Sequence, residues 1–190
     1  FFGQAGLLND EMVKEERRDA YFLKLQKEYR FLKHKFSLTP MNPKLWRFLR
    51  LRPQNFPHIR LAQMVELYHS RRTDFSRLIN AKTEGELRGL LNAKVTPYWE
   101  GHYTFGGEST AHAKFLREES VTLLLINTVA PLLFAYGRHH FDEDRCEAAL
   151  DLLEHLKPEQ NFITRSWAKA GIKAENAADS QALICLKKNY

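Results

Sequence analysis

Cysteine is scarce: only Cys146 and Cys185 occur in the 190 residues. Two are too few for a disulfide framework, which excludes a small disulfide-stapled scaffold. Both fall in segments with helical spacing, where a free thiol acts as a small apolar side chain. A reducing, cytoplasmic setting is therefore expected. Glycine is thin as well, at nine residues, and Gly106-Gly107 is too short to be a phosphate-cradling loop. There is no repeat, no low-complexity tract and no flexible linker. No long uninterrupted apolar run exists either. Val121 to Tyr136 is about as short as a membrane span can be, and it carries Thr122, Asn127, Thr128 and Pro131. It reads as a buried core helix kinked or broken before Pro131, so no membrane partner is expected. The opening Phe1-Phe2-Gly3-Gln4-Ala5-Gly6-Leu7-Leu8 lacks an initiator Met and the basic n-region of a signal peptide, as expected of a fragment of a longer chain.

What is present is the composition of a folded protein: 44% apolar and 27% charged residues, with a formal net charge of +6. That excludes a disordered chain or a collagen-like repeat, and the length suffices to bury a real core. The apolar spacing is helical almost throughout. Asn9 and Asp10 are placed to cap a first helix reaching Phe36, with Tyr21, Leu25, Tyr29, Leu32 and Phe36 on one face. Asn42 before Pro43 predicts an N-cap and N1 pair opening a short helix, with Leu45, Phe48 and Leu49 inward and an end before Pro53. Pro57 opens the next helix, with Leu61, Met64, Val65 and Tyr68 on one side. Asp74 predicts the cap of another, and Thr83 to Glu86 a capping box before Leu87, Leu90 and Leu91.

Residues 96–107 break this pattern. Pro97, Gly101, Gly106 and Gly107 punctuate them, and Tyr98, Trp99, Tyr103 and Phe105 fill them, as in an ordered aromatic loop with a short hairpin. Helix is expected again from Glu108 to Tyr136, then from Asp142 with Cys146, Ala149, Leu150 and Leu153 inward, from Asn161 to Gly171, and from Ala174 to Lys188. The predicted fold class is all-α: a single compact multi-helix domain over residues 1–190, with about eight or nine helices.

The charge is uneven. Residues 1–95 hold 19 Lys or Arg and 10 Asp or Glu, a net of +9, whereas residues 96–190 hold 10 and 13, a net of −3. This asymmetry points to an anionic partner for the N-terminal half, or to attraction between the halves. The densest basic segment runs from Lys44 to Arg60. Lys44, Arg47 and Arg50 are spaced by three, as on one helix face. Arg52, His58 and Arg60 follow around a turn held by Pro53 and Pro57 and the start of a helix, whose free N–H groups favour anions. Trp46, Phe48 and Phe56 offer stacking faces. These residues make a candidate site for an anionic ligand, above all nucleic acid; the other reading is core aromatics beside a solvated arginine face.

A second constellation is Glu100, His102 and Glu108 on the glycine-marked loop, suited to acid–base work in a hydrolase- or nuclease-like enzyme. Its spacing matches no metal motif, and neither metal nor cofactor is expected. The alternative is a rigid loop whose aromatics complete the core. His139-His140 reads as a polar connection, Asn127 as a buried, hydrogen-bonded side chain serving backbone groups freed by Pro131, and Ser166 and Ser180 have no histidine base nearby.

Several phrases carry a resemblance. Gly3-Gln4-Ala5-Gly6-Leu7-Leu8, the segment Trp46 to Gln63 with Arg50-Leu51-Arg52-Pro53 and Asn55-Phe56-Pro57, Ile126-Asn127-Thr128-Val129-Ala130-Pro131, and Asp179-Ser180-Gln181-Ala182-Leu183-Ile184 together resemble the bacterial family called domain of unknown function 2851. The resemblance covers the whole chain. It implies the C-terminal helical part of a longer protein, with a preceding β-rich part bearing acidic and His motifs and a short Cys-rich tail. That β-rich part, nuclease-like only by analogy, is then the expected packing partner, and an exposed apolar patch near Phe1 to Leu8 would serve it. The family has no established activity, so no catalytic residue is implied. Cys185 stands where the closing motif leads one to expect Gln.

Overall fold

The structure, a computed structural model, describes residues 1–70 and 73–189. Among them nine helices and one hairpin order the chain: α1 (Ala20–Lys35), α2 (Pro57–His69), α3 (Phe75–Asn80), α4 (Glu84–Leu91), α5 (Pro97–Glu100), β1 (His102–Thr104), β2 (Gly107–Glu108), α6 (Glu118–His140), α7 (Glu143–His155), α8 (Phe162–Lys169) and α9 (Ala177–Asn189). The fold class is all-α, as predicted. The chain gathers into two compact units, Phe1–Thr73 with Asn92–Leu116, and Asp74–Leu91 with Arg117–Tyr190.

In the first unit, helix starts follow whichever cap is free to act. Asp19 caps α1, its Oδ1 accepting from the Phe22 N–H at 2.8 Å. The expected start at Asn9 or Asp10 is corrected, because those side chains are engaged elsewhere. Asn9 Oδ1 accepts from the Glu11 N–H, and Asp10 Oδ1 accepts from Gln26 Nε2 at 2.9 Å. That bond holds the Asp10 carboxyl below its usual range, with Arg18 and Arg30 adding to it. The preceding residues run through successive turns that bury Phe2, Ala5, Leu7 and Leu8, so the expected apolar patch at Phe1 to Leu8 reduces to an exposed Phe1. On α1, Phe22 and Gln26 are buried and Tyr21, Leu25 and Tyr29 half-buried, whereas Leu32 and Phe36 stay exposed.

The segment after α1 differs most from expectation. Asn42 does cap Pro43, its Oδ1 accepting from the Lys44 N–H at 2.9 Å, but only a 3-10 turn, Pro43–Leu45, follows. Trp46 is extended, at φ −77 and ψ 130, and Arg50 is left-handed, at φ 63. Two anchors force this. Trp46 Nε1 donates to the Ala5 carbonyl at 2.6 Å, and the Phe48 ring meets Phe56 edge-on at 5.5 Å. Inward rings at both 46 and 48 need an extended chain, so Leu45 and Leu49 end 67% and 84% exposed rather than inward.

Residues 97–108 form α5 and the hairpin, with His102 opposite Glu108 and Thr104 opposite Gly107. Phe105 and Gly106 make the turn, and Gly106 takes φ 59. Phe105 joins Phe2, Leu7, Phe22, Ile59 and Trp99 in one buried cluster. The helix expected from Glu108 begins instead at Glu118. Residues between run extended, with Ser109 N–H on the Gly101 carbonyl, His112 N–H on Glu100, and a bridge between Lys94 and Phe115.

In the second unit Asp74 and Asn161 cap α3 and α8, as predicted, and Asp142, expected at the start of α7, caps it. Thr83 Oγ1 accepts from the Glu86 N–H, but the Glu86 carboxylate reaches the Lys82 N–H rather than Thr83. α6 does not break at Pro131. Its turn Leu125–Val129 widens to π geometry, the Ala130 N–H reaching back to the Leu125 carbonyl. The added residue makes room for the proline ring, and the helix continues to His140. By length and composition α6 is long and apolar enough to cross a membrane; Val121, Leu125, Val129, Leu133 and Gly137 are buried within the unit. Asn127 is exposed, not buried as expected, and Leu150 is exposed where Leu152 is buried.

A Cβ at Gly106 would overlap the Arg17 carbonyl oxygen, and φ there is left-handed. Gly106→Ala should therefore destabilise the first unit by about 2 kcal/mol or more. A urea midpoint unchanged from wild type would contradict this.

Candidate functional site

Four of the predicted ligand-binding residues fall in one short stretch of chain, the 44–52 strip, and are exposed. They are Lys44, Arg47, Arg50 and Arg52, with Arg47 between the half-buried anchors Trp46 and Phe48. Among the described residues none of the four has a carboxylate within ion-pair distance. They do not lie on a helix face, as their spacing suggested, because the chain is extended or left-handed at 46, 50 and 52.

The other two candidates are corrected. Arg60 is half-buried and holds its own loop, donating to Asn55 Oδ1 at 2.8 Å and Gln63 Oε1 at 3.0 Å. His58 is 4% exposed and faces Phe48, Trp99 and Phe105 at 5.7, 5.8 and 5.2 Å between ring centres. Among the described residues its Nδ1 has no hydrogen-bond partner. Burial pushes the imidazole down from 6.5 to about 4, so it is neutral at pH 7 and supplies no charge. Pro57, His58 and Ile59 are all buried, which closes the start of α2 to an anion.

Of the Glu100, His102 and Glu108 set, His102 and Glu108 are register partners across the hairpin. The Glu100 carboxylate pairs with Lys94 Nζ at 2.8 Å. His102 Nδ1 bonds the Tyr98 carbonyl at 2.8 Å, and its ring stacks on Tyr98 at 4.1 Å. Glu108 is exposed on the facing strand. Among the described residues no three His, Cys, Asp or Glu side chains stand together as metal ligands. His139 and His140 lie in the last turn of α6, where His140 Nδ1 bonds the Tyr136 carbonyl. Ser166 Oγ donates to the Phe162 carbonyl and Ser180 Oγ to that of Ala177.

Two groupings escaped the sequence reading. Lys114 is buried, and its Nζ donates to the carbonyls of Trp99, Glu100 and His102 at 2.5, 2.7 and 3.0 Å, with the Tyr103 ring 4.1 Å away. Burial lowers its pKa, and Glu100 opposes that. Glu159 collects three amides: Asn127 and Gln181 donate to Oε2 at 3.2 and 3.1 Å, and Asn161 to Oε1 at 3.0 Å. Ser180 Oγ accepts the Glu159 N–H at 3.0 Å. Two of the phrases that carried the family resemblance thus meet on one carboxylate. A further signal was present in the sequence: from Tyr29 to Val65 there is no Asp or Glu, but eight Lys or Arg.

Two predictions follow from these buried groups. Lys114→Met removes a donor from three carbonyls, of which only that of Glu100 is seen to keep another, the His112 N–H, and should cost about 2 kcal/mol or more in urea unfolding; a loss under 1 kcal/mol would show the ammonium to be dispensable. For His58 the unfolded chain titrates at 6.5 and the folded one at about 4. As pH falls between those values only the unfolded state gains this proton, so stability drops by up to about 3 kcal/mol. His58→Phe should flatten that part of the pH–stability curve; an identical curve would refute it.

The sequence model of the family described as "Protein of unknown function (DUF2851)" matches residues 1–162. No curated protein and no solved structure matches. With that match extending over most of its length, the chain belongs to the DUF2851 family.

Proposed function

We propose that this chain is a non-catalytic helical module that holds a polyanion, namely nucleic acid, through Lys44, Arg47, Arg50 and Arg52. The observation that carries the reading is their common exposure with no carboxylate partner among the described residues. Surface cations are ordinarily interspersed with acids, and a strip of unneutralised ones raises the local concentration of anions. The strip is also held in shape. Trp46 and Phe48 are fixed inward, and Pro43 and Pro53 each open a 3-10 turn, so the cations are presented at little entropic loss on binding. The engaged side chains of Glu100 and His102 give no comparable support to an enzyme.

Fluorescence anisotropy with labelled single-stranded DNA, duplex DNA and RNA tests the proposal. Binding should weaken steeply with salt, and an Arg47→Ala, Arg50→Ala, Arg52→Ala triple variant should lose tenfold or more in affinity at low salt. Its log–log salt slope should fall by about 2–3, near 0.9 per lost phosphate contact. Arg60 is left in place because it supports the loop. Affinity unchanged in the triple variant, or no binding at low salt, would overturn the reading.

A further inference from the structure

We infer that the solvent face of α1 is a stacking platform for the unpaired bases of a single-stranded nucleic acid, distinct from the 44–52 strip and resting on the nucleic-acid reading above. Lys24, Lys27, Phe31 and Lys35 follow i, i+3, i+7 and i+11, on the side of α1 opposite buried Phe22 and Gln26. Phe31 is 62% exposed and Phe36 58%. Both rings border one cation, since Lys35 Nζ lies 5.9 Å from the Phe31 centroid and 5.3 Å from that of Phe36. Alongside, Arg30, Lys33, His34, Ser37 and Leu38 line a cavity. Arg30 reaches a carboxylate, Asp10, at 3.7 Å; Lys24, Lys27, Lys33 and Lys35 pair with none among the described residues. Glu28 is the single acid on α1.

This arrangement selects its occupant by chemistry. A large exposed ring asks for an apolar flat surface, and a ring set among ammonium groups asks for that surface to carry negative charge nearby. A polynucleotide strand supplies both, bases for the rings and phosphates for the cations. A duplex hides its base faces and satisfies only the cations. An anionic lipid surface matches the charge, but it rewards a continuous apolar stripe, and here lysines flank Phe31 at both i−4 and i+4.

The test uses the full chain with three probes at low salt: a labelled oligothymidine, a mixed-sequence duplex of the same length, and vesicles of equimolar phosphatidylcholine and phosphatidylglycerol. In a Phe31→Ala, Phe36→Ala variant oligothymidine affinity should fall tenfold or more while duplex affinity stays within twofold. Both rings are exposed, so the fold is retained; Phe31→Trp should preserve the affinity, and Glu28→Gln should raise it for both nucleic acids. If wild type binds nucleic acid with a steep salt slope and the double Phe variant keeps its single-strand affinity, the platform is refuted and the 44–52 reading stands. If wild type binds neither nucleic acid, both fall together. Vesicle binding that the Phe substitutions abolish, with nucleic-acid binding untouched, would assign the face to lipid instead.

Discussion

A protonated amine shut away from water must give each of its hydrogens to an acceptor, and in the first unit Lys114 does so completely. Its three partners are the carbonyls of Trp99, Glu100 and His102, the end of a one-turn helix and the start of a strand. So short a helix leaves its last carbonyls without intrahelical donors. The ammonium supplies them, and that fixes how α5 passes into the hairpin. Trp99 and Phe105 are then both turned into the core, their rings 5.1 Å apart. Between them Tyr98 ties two distant points, accepting from the Gly106 N–H at 3.1 Å and donating to Asp19 Oδ2 at 2.6 Å. Burial and that bond to Asp19 raise the phenol's pKa, so it remains a donor. Asp19 is also the cap of α1. One buried charge thereby governs the hairpin, the aromatic cluster and the place where the longest helix of this unit begins.

The basic surface depends on the same cluster. Phe48 enters it against Phe56 and His58, and Trp46 is tied to the Ala5 carbonyl. With those two rings inward, Arg47 between them is turned outward, and Arg50 and Arg52 are exposed further along. Loss of the cluster should therefore disorder the strip as well as the core.

This dependence explains what the sequence could and could not reveal. Asn42, Asp74, Asp142 and Asn161 act as caps because capping is a contact between near neighbours, and local chemistry decides it. The hairpin was legible for the same reason. The start of α1 was not. Asn9, Asp10 and Asp19 are equally good caps in isolation, and the choice falls to Gln26 and Tyr98, far along the chain. Lys44, Arg47 and Arg50 carry a helical period, but the anchors at Trp46 and Phe48 override it. His58 reads as a charge in sequence and is a neutral ring in the core, because the first turn of α2 faces the aromatic cluster. Nothing near Lys114 marks it as buried, since all its acceptors lie 12–15 residues earlier.

The acid-free run from Tyr29 to Val65 sets the last constraint. Eight cations without an internal acid repel one another, and folding concentrates them. The chain does not separate them. Tyr29 of α1 donates to Gln4 Oε1 at 3.1 Å, the Met41 N–H donates to the Gln4 carbonyl at 2.8 Å, and Trp46 bonds Ala5. The opening coil thus links the C-terminal half of α1 to the stretch leading into the 44–52 strip, and both basic surfaces ride on one frame. That repulsion opposes folding in the free protein and is relieved when a polyanion replaces the small counter-ions. A strand long enough to reach both surfaces would bind the second with its end already held nearby, gaining affinity without any new contact. The frame built from Gln4 and Ala5 therefore matters to the proposed binding as much as the cations it spaces.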